Sequence, residues 1–177
     1  MSTFMELAKK RQSTRGFCDK PIEHEKLVSC VEAGRLAPSA CNSQPWSFAV
    51  AESDEAVAAV AAAAQQMGMN PFTSGAKAFI VIIEEFAVLN PGIRKIVDSQ
   101  YFAKADVGAA TAYINLEAAA QGLGICQIGV FDREAVCNAL GLPQDKRLAA
   151  LLAIGYPADE KIRDKIRKPL EQIASFK

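Results

Sequence analysis

Apolar residues that recur every three to four positions predict two helices at the start of the chain. Thr3 and Glu6 form a capping box in front of a helix that runs to about Arg11. A second helix is predicted over residues 23–37, where a proline follows its last turn.

The next part of the chain predicts a strand, a helix and a second strand. Residues 46–51, WSFAVA, alternate as a strand does, and Ser53 then caps an alanine-rich helix that ends at Gly68. Residues 78–83, AFIVII, form a continuous apolar run that is typical of a strand buried on both faces.

The second half of the chain continues this alternation. It predicts a long helix over residues 101–121, a strand over 125–130, a short helix capped by Asp132 and an apolar strand over 148–154. Residues 157–177 are charged and contain two prolines, which predicts an arm outside the core.

Alternating strands and helices by themselves indicate a parallel, doubly wound sheet with a nucleotide in its crevice. The motifs that usually accompany such a sheet are missing. GLGICQIG at 122–129 has the wrong glycine spacing for GxGxxG, and no GxxxxGK followed by Ser or Thr occurs. A nucleotide would have to be held in another way.

Composition and charge limit the class of protein. The chain has 177 residues and is 50% hydrophobic, which suits one domain over 1–177 with a full core. Its 20 basic and 20 acidic residues cancel without a block of like charge, so neither nucleic acid nor a membrane is expected as a partner.

The N-terminus lacks the apolar stretch of a secretory signal, and the longest apolar run, 56–64, is far too short for a membrane span. Five cysteines without a CxxC pair fit reduced, mostly buried thiols. We therefore expect a soluble cytoplasmic protein.

The side chains offer little chemistry of their own. His24, the sole histidine, lies in the surface-type sequence IEHEK and is expected to be structural or solvated. One histidine without a cluster of carboxylates and cysteines predicts no metal site. Cys41 lies in a polar loop and is either a reactive thiol or a packed bystander. Proteins without reactive groups often take them from a cofactor.

One segment indicates where a cofactor would bind. RQSTRGF at 11–17 places Arg11 and Arg15 around Ser13 and Thr14, and Ser, Thr and the nearby Gly16 are poor residues for a helix interior. The two arginines therefore project from an irregular segment, which is a suitable place to hold an anion.

This segment, together with PIEHEKLVSCVEAGRLAPSACNSQPWSFAV at 21–50, resembles the flavin-dependent nitroreductase family. The family pattern is Arg-x-Ser-x-Arg/Lys followed by a helix and APSxxNxQPW. GAATAYINLEAAAQGLGICQIGVFD at 108–132 is similar to the central helix and flavin-facing strand of the family, and RLAALLAIGYPA and KIRKPLEQI are similar to its closing elements.

The resemblance implies an α+β fold with a mixed, mainly antiparallel sheet flanked by helices, and this replaces the parallel sheet. It also implies an intertwined homodimer in which the C-terminal arms, residues 157–177, wrap the partner. FMN would be the cofactor, with NADH or NADPH as electron donor. The cofactor-binding residues that the family pattern implies are Arg11, Gln12, Ser13, Arg15, Pro38, Ser39, Ala40, Asn42, Asn70, Ile128, Gly129, Lys165 and Arg167.

The resemblance also assigns roles to these residues. Arg11 and Ser13 would bind the FMN phosphate with two arm cations, unless the charged run 160–168 is only an exposed helix. Arg15 would lie at the pyrimidine end of the flavin ring, where reduction places negative charge. Residues 38–42 would reach the flavin of the other subunit. The residues facing the ring near N5 would be Ile128 and Gly129, and Asn70 would contact the ring edge.

The implied activity is an NAD(P)H-dependent FMN oxidoreductase with a ping-pong mechanism. The nicotinamide gives hydride to flavin N5 and leaves, and a nitroaromatic, a quinone or a similar small acceptor then takes its place. No catalytic side chain is implied. Two alternatives stay open: other flavin chemistry on the same fold, namely reductive dehalogenation, azoline oxidation or flavin degradation, and a flavin-binding protein without enzymatic activity.

Overall fold

The structure is a computed structural model, and it describes residues 3–66 and 68–177. The helices are α1 (Phe4–Lys10), α2 (His24–Arg35), α3 (Asp54–Gln65), α4 (Pro91–Arg94), α5 (Ala103–Ala120) and α6 (Arg133–Leu140). The strands are β1 (Trp46–Ala51), β2 (Ala78–Glu84), β3 (Gly124–Ile128) and β4 (Arg147–Gly155). Short 3-10 turns lie at Ala40–Asn42, Pro71–Gly75 and Leu170–Gln172.

The four strands form one sheet in the order β1, β2, β4, β3, and every neighbouring pair is antiparallel. An isolated parallel bridge, between Ser13 and Ile125, joins the segment after α1 to the edge strand β3. The expected α+β fold with an antiparallel sheet is confirmed, and the predicted mixed character is limited, in the described residues, to this bridge outside the four strands. The parallel, doubly wound sheet that the alternation of elements indicates is wrong.

Helices cover both faces of this sheet, which explains why the alternation is misleading. In β2, Ile80 and Ile82 pack into a core with α2 and α5, whereas Phe79 and Val81 pack into a second core with α3 and α6. All residues of β2 are buried. A continuous apolar run therefore indicates that both faces of the strand are buried. It does not indicate whether the neighbouring strands are parallel or antiparallel.

The predicted helix starts are confirmed by their capping contacts. The Thr3 hydroxyl accepts from the Glu6 N–H, and the Glu6 carboxylate accepts from the Thr3 N–H, as a capping box requires. Ser53 and Asp132 cap α3 and α6 through their side-chain oxygens. Asn90 caps the short α4, an element that the sequence pattern does not predict.

The ends of the elements differ from the predictions by a few residues. The helices α2 and α5 begin and end within two residues of the predicted bounds 23–37 and 101–121. α3 ends at Gln65 rather than at Gly68, and Met67 lies outside the described residues. β3 ends at Ile128, and residues 129–130 continue as irregular chain.

The C-terminal arm begins by packing on the segment that follows α1. Phe17 and Pro157 form an antiparallel bridge, and the Ala158 N–H donates to the Gly16 carbonyl at 3.0 Å. From residue 166 onward every side chain is exposed. The arm is confirmed as a segment outside the core, and its wrapping of a partner stays a prediction. None of the helices in the described part of the chain is long and apolar enough to cross a membrane.

Candidate functional site

The segment RQSTRGF lies as an extended chain against β3 and β4. The Thr14 N–H donates to the Ile125 carbonyl at 2.9 Å, which fixes the segment to the edge of the sheet. Two glycines allow this close approach. A Cβ at Gly124 would lie 2.6 Å from Thr14 Cγ2, and a Cβ at Gly155 would lie 2.8 Å from Phe17 Cδ1. The prediction that this segment is irregular rather than helical is confirmed.

Four cations gather beside this segment: Arg11, Arg163, Lys165 and Arg167. Burial, followed by the charges of the three arginines, lowers the pKa of Lys165 below its usual value. The Lys165 ammonium donates to the Lys9 carbonyl at the C-terminal end of α1. Within residues 3–66 and 68–177, none of the four cations forms a salt bridge with a carboxylate. Positive charges that repel one another without a counterion form a site for an anion.

Two cavities adjoin the segment. One of about 440 Å³ is lined by residues 12–16 and by arm residues, among which Lys161 and Arg163 are basic and Asp159 is acidic. Another of about 380 Å³ is lined by Arg11, by Gln12 and by the residues that connect α5 to β3. The segment that carries the two predicted arginines therefore borders space that a ligand can occupy.

The Gln12 side chain is directed at the arm. Its Nε2 donates to the Lys161 carbonyl at 2.8 Å, and its Oε1 accepts from the backbone N–H and the Nε of Arg163 at 3.1 and 3.3 Å. The Ser13 carbonyl accepts from Arg163 Nη2. The predicted role of Gln12 at the cofactor stays a prediction, and the contacts show its amide joined to the arm.

Arg15 has different neighbours from Arg11. Its guanidinium carbon lies 5.9 Å from the centre of the Phe72 ring, in the turn Pro71–Gly75. Asn70 precedes that turn and donates to the carbonyls of Ala64 and Val130, both at 3.1 Å. Arg11 therefore lies with Lys165 and Arg167, whereas Arg15 lies beside Phe72 and lines one cavity with Arg163.

The residues that follow β3 leave room for a flat group. The Ile128 side chain is buried in the core with α3 and α6, so only its backbone can face a ligand. A Cβ at Gly129 would have no atom within 4 Å. These positions are compatible with the predicted approach of a flavin ring to the backbone, which stays a prediction.

The loop at 38–42 has a strained backbone. Cys41, Asn42 and Gln44 have φ values of 54°, 52° and 47°, in the left-handed region that residues other than glycine rarely adopt. The Ala40 N–H donates to the Asp106 carboxylate at 3.1 Å, which anchors the loop to α5. Strain of this kind persists only where the surrounding structure fixes it, and it clusters at functional sites.

The same loop is separate from the cation cluster within one chain. Pro38, Cys41 and Asn42 are exposed, whereas Ser39 and Ala40 are half-buried. In the described part of the chain, no residue of 38–42 lines the two cavities next to Arg11 and Arg15. The prediction that this loop reaches the flavin of a second subunit is compatible with that separation and stays a prediction.

The other reactive side chains lie elsewhere. His24 is exposed, with Nδ1 2.8 Å from Glu52 Oε2, and the hydrogen bond to that carboxylate raises the pKa of His24. Its predicted surface role is confirmed.

All five cysteines are free, and three of them are buried. Burial, helped by the charge of Glu117, raises the pKa of Cys30 to about 12. Cys41 is exposed in the single chain, and the two interpretations of this thiol stay open.

Arg163 belongs to the cation cluster, although it is not among the cofactor-binding residues predicted from the sequence. The run EKIRDKIRK has the pattern of an exposed helix, but no helix forms over 157–169. In an extended segment alternate residues point to the same side. Arg163, Lys165 and Arg167 occupy alternate positions in the sequence, and this spacing is the signal that groups Arg163 with the two predicted arm cations.

The comparisons with known proteins agree with this fold. Residues 8–156 match the model of the nitroreductase family. Over 155 residues the chain is 33% identical to an Archaeoglobus fulgidus protein provisionally named as an NADH dehydrogenase/NAD(P)H nitroreductase, with 85% of this chain and 83% of the relative covered. The iodotyrosine deiodinase of Thermotoga neapolitana is 25% identical over 171 residues, which cover 91% of this chain and 92% of the relative. A provisionally named nitroreductase of Exiguobacterium sibiricum, solved in complex with FMN, matches with a TM-score of 0.85 at 25% identity and covers 100% of this chain and 98% of its own. The chain belongs to the nitroreductase family.

Proposed function

We propose that this chain binds FMN and places the FMN phosphate among Arg11, Ser13, Lys165 and Arg167. The observation that carries the proposal is the group of cations without carboxylate partners in the described residues. A phosphate monoester carries a charge of about −2 near neutral pH, and guanidinium groups bind it through paired hydrogen bonds. Such an anion would replace the repulsion around Lys165 by attraction. The FMN in the Exiguobacterium structure supports the same choice of ligand.

The flavin ring would be held by Arg15, by Asn70 and by the backbone of Ile128 and Gly129. Arg15 would supply positive charge at the part of the ring that becomes negative on reduction. The open space at Gly129 would permit a planar group to approach the backbone.

The activity that we propose is an NAD(P)H-dependent oxidoreductase that works by a ping-pong mechanism on nitroaromatics, quinones or similar small acceptors. FMN, when bound, supplies the two-electron transfer that the side chains of this chain do not offer. The chain itself binds and orients the cofactor and sets the charge around it. The provisional name of the Archaeoglobus relative supports both the electron donor and the class of acceptor.

The test of this activity is reconstitution of the purified chain. After addition of FMN and removal of the excess, we expect the absorbance of bound flavin and oxidation of NADH or NADPH that depends on an added quinone or nitroaromatic. A chain that binds flavin but oxidises neither nicotinamide with any acceptor would be a flavin-binding protein without this activity. A chain that retains no flavin would refute the proposal.

We propose further that the functional unit is a homodimer. The strained loop 38–42 would complete the flavin site of the second subunit, and the end of the arm would cover that subunit. Ile166, Leu170, Ile173 and Phe176 are 94%, 57%, 65% and 87% exposed, and apolar side chains spaced along an arm in this way favour burial against another chain.

Two truncations separate the functions of the arm. Removal of residues 166–177 takes away these apolar side chains and Arg167, and we expect weaker dimerisation with partial loss of FMN. Removal of 157–177 also takes away Lys165 and the contacts with segment 11–17, and we expect FMN binding to be lost. A chain shortened to residue 156 that remains an FMN-saturated dimer in sizing chromatography would show that the arm is misassigned.

One alternative has specific support. The Thermotoga relative is an iodotyrosine deiodinase, and its sequence aligns over nearly the whole chain. Reductive removal of iodide would use the same cofactor and the same cation cluster. Iodide release from iodotyrosine by the reduced, FMN-loaded protein, at a higher kcat/KM than turnover of quinones, would favour this alternative.

A further inference from the structure

We infer that Arg163 is a further cofactor-positioning residue: it fixes the Ser13 peptide from the arm side and adds positive charge at the phosphate site. This inference rests on the proposed function, since it concerns the same anion. Arg163 lies outside residues 8–156, the part of the chain that matches the family model.

The peptide group between Ser13 and Thr14 is held at both ends. Its N–H, which belongs to Thr14, donates to the Ile125 carbonyl at 2.9 Å. Its carbonyl, which belongs to Ser13, accepts from Arg163 Nη2. The sheet and Arg163 together hold the backbone from which the Ser13 side chain projects. Without Arg163 the peptide would be held from one side only.

Gln12 strengthens this attachment. Its Oε1 accepts from both the backbone N–H and the Nε of Arg163, and its Nε2 donates to the Lys161 carbonyl. Arg163 and the arm backbone around it are therefore joined to two consecutive residues of the predicted phosphate-binding segment. This explains how an arm without a helix or strand can present its cations at a defined place.

The charge of Arg163 acts on the same site. Burial lowers the pKa of Lys165, and the positive charge of Arg163 lowers it further. The Arg163 residue also lines the cavity of about 440 Å³ together with Ser13 and Arg15. The hydrogen bonds of its side chain use Nε and Nη2, and Nη1 has no hydrogen-bond partner among the described residues. A guanidinium carries five N–H donors, so Arg163 can hold the peptide and still face an anion.

The test compares FMN with riboflavin, which has the same ring but no phosphate. In Arg163→Gln we expect the dissociation constant of FMN to rise by about tenfold or more, as for loss of a charged hydrogen-bonding partner. The dissociation constant of riboflavin should stay within about twofold of the wild-type value, because removal of a charge acts on the phosphate. Lys168→Gln, which removes an exposed arm charge next to Arg167, is the matched control and should leave both constants unchanged.

Arg163→Lys separates charge from positioning. Lysine keeps the charge but lacks the planar fork that reaches Ser13 and Gln12 together, so we expect it to restore only part of the FMN affinity. Full restoration by lysine would overturn the positioning role. If Arg163→Gln does not fold, Arg163→Lys carries the test alone and must weaken FMN without weakening riboflavin.

The remaining outcomes distinguish this inference from the proposed function. Unchanged FMN affinity in Arg163→Gln, or equal losses for FMN and riboflavin, would overturn the inference alone, provided that Arg11→Ala still weakens FMN selectively. A wild-type chain that binds neither flavin would overturn the proposed function, and this inference with it.

Discussion

Gly124→Ala is the substitution that tests most sharply how the fold builds the site. The added Cβ would lie 2.6 Å from Thr14 Cγ2 and 2.8 Å from both Thr14 Cβ and Oγ1. Apolar atoms in contact prefer a separation of about 3.5 to 4.0 Å, so Thr14 must move by about 1 Å. The contact includes Thr14 Cβ, which is attached directly to the backbone, so a change of side-chain rotamer cannot relieve it.

The expected cost follows from this displacement. Overpacking typically costs about 1 to 3 kcal/mol, and a lengthened hydrogen bond from Thr14 to Ile125 adds about 0.5 to 1.5 kcal/mol. We therefore expect the free energy of unfolding to fall by about 1.5 to 4.5 kcal/mol. The same movement shifts Ser13, so the dissociation constant of FMN should rise by about tenfold, which corresponds to about 1.4 kcal/mol.

The assays are urea unfolding at a fixed protein concentration and titration with FMN. Gly75→Ala is the matched control, because its Cβ would lie 3.9 Å from Phe17 Cβ, an ordinary contact. If Gly124→Ala does not fold, the double variant with Thr14→Ala removes two of the three close atoms and should recover part of the stability. Wild-type stability together with wild-type FMN affinity in Gly124→Ala would refute this explanation of the packing.

Four further substitutions give distinct expectations. Arg11→Ala should weaken FMN by roughly ten- to a hundredfold, measured by titration, while the fold survives; unchanged affinity would remove Arg11 from the site. Arg15→Ala should bind FMN more tightly than Arg11→Ala does but lower the midpoint potential of bound flavin, and an unchanged potential would contradict its role at the ring. The lowered pKa of Lys165 means that its positive charge is lost at a lower pH than that of an ordinary lysine. FMN affinity should therefore fall early as pH rises, and Lys165→Arg should abolish this fall, since guanidinium keeps its proton; identical pH profiles would exclude Lys165 as a phosphate ligand. Gly34→Ala should destabilise the fold by up to about 2 kcal/mol, because the Cβ would lie 2.8 Å from buried Ile114 and the overpacking cost of about 1 to 3 kcal/mol is offset by a gain of about 1 kcal/mol in helix propensity; a stability increase in urea unfolding would contradict it.

Local sequence signals predicted most of the helices and strands. Thr3, Ser53 and Asp132 mark helix starts because their side chains satisfy N–H groups that lack a partner within the helix, and this chemistry is local. Strand direction is a property of the whole sheet. The apolar run of β2 is the same whether the neighbours are parallel or antiparallel, so the family resemblance was needed to choose the antiparallel sheet.

The features of the candidate site also fall into two groups: those that local sequence signals indicate and those that appear only in the folded chain. Arg11 and Arg15 were found because Ser, Thr and Gly between and after them exclude a helix, which leaves the arginines on an irregular segment. The contact between Arg163 and Ser13 joins residues 150 positions apart, and no local pattern reports such a contact. The positive φ of Cys41 was also outside the reach of sequence reasoning, because cysteine does not signal a left-handed backbone, although the neighbouring Asn42 is of a type that adopts it more often.

The cation cluster as a phosphate site is tested most directly by the ratio of the dissociation constants of riboflavin and FMN for the wild-type chain. The two ligands differ only in the phosphate. Several charged hydrogen bonds of about 1.5 to 3 kcal/mol each lead us to predict that FMN binds at least about a hundredfold more tightly than riboflavin. Added salt should reduce this ratio, since exposed charges are screened. Equal affinities for the two ligands at low salt would contradict the assignment of Arg11, Lys165 and Arg167 to the FMN phosphate.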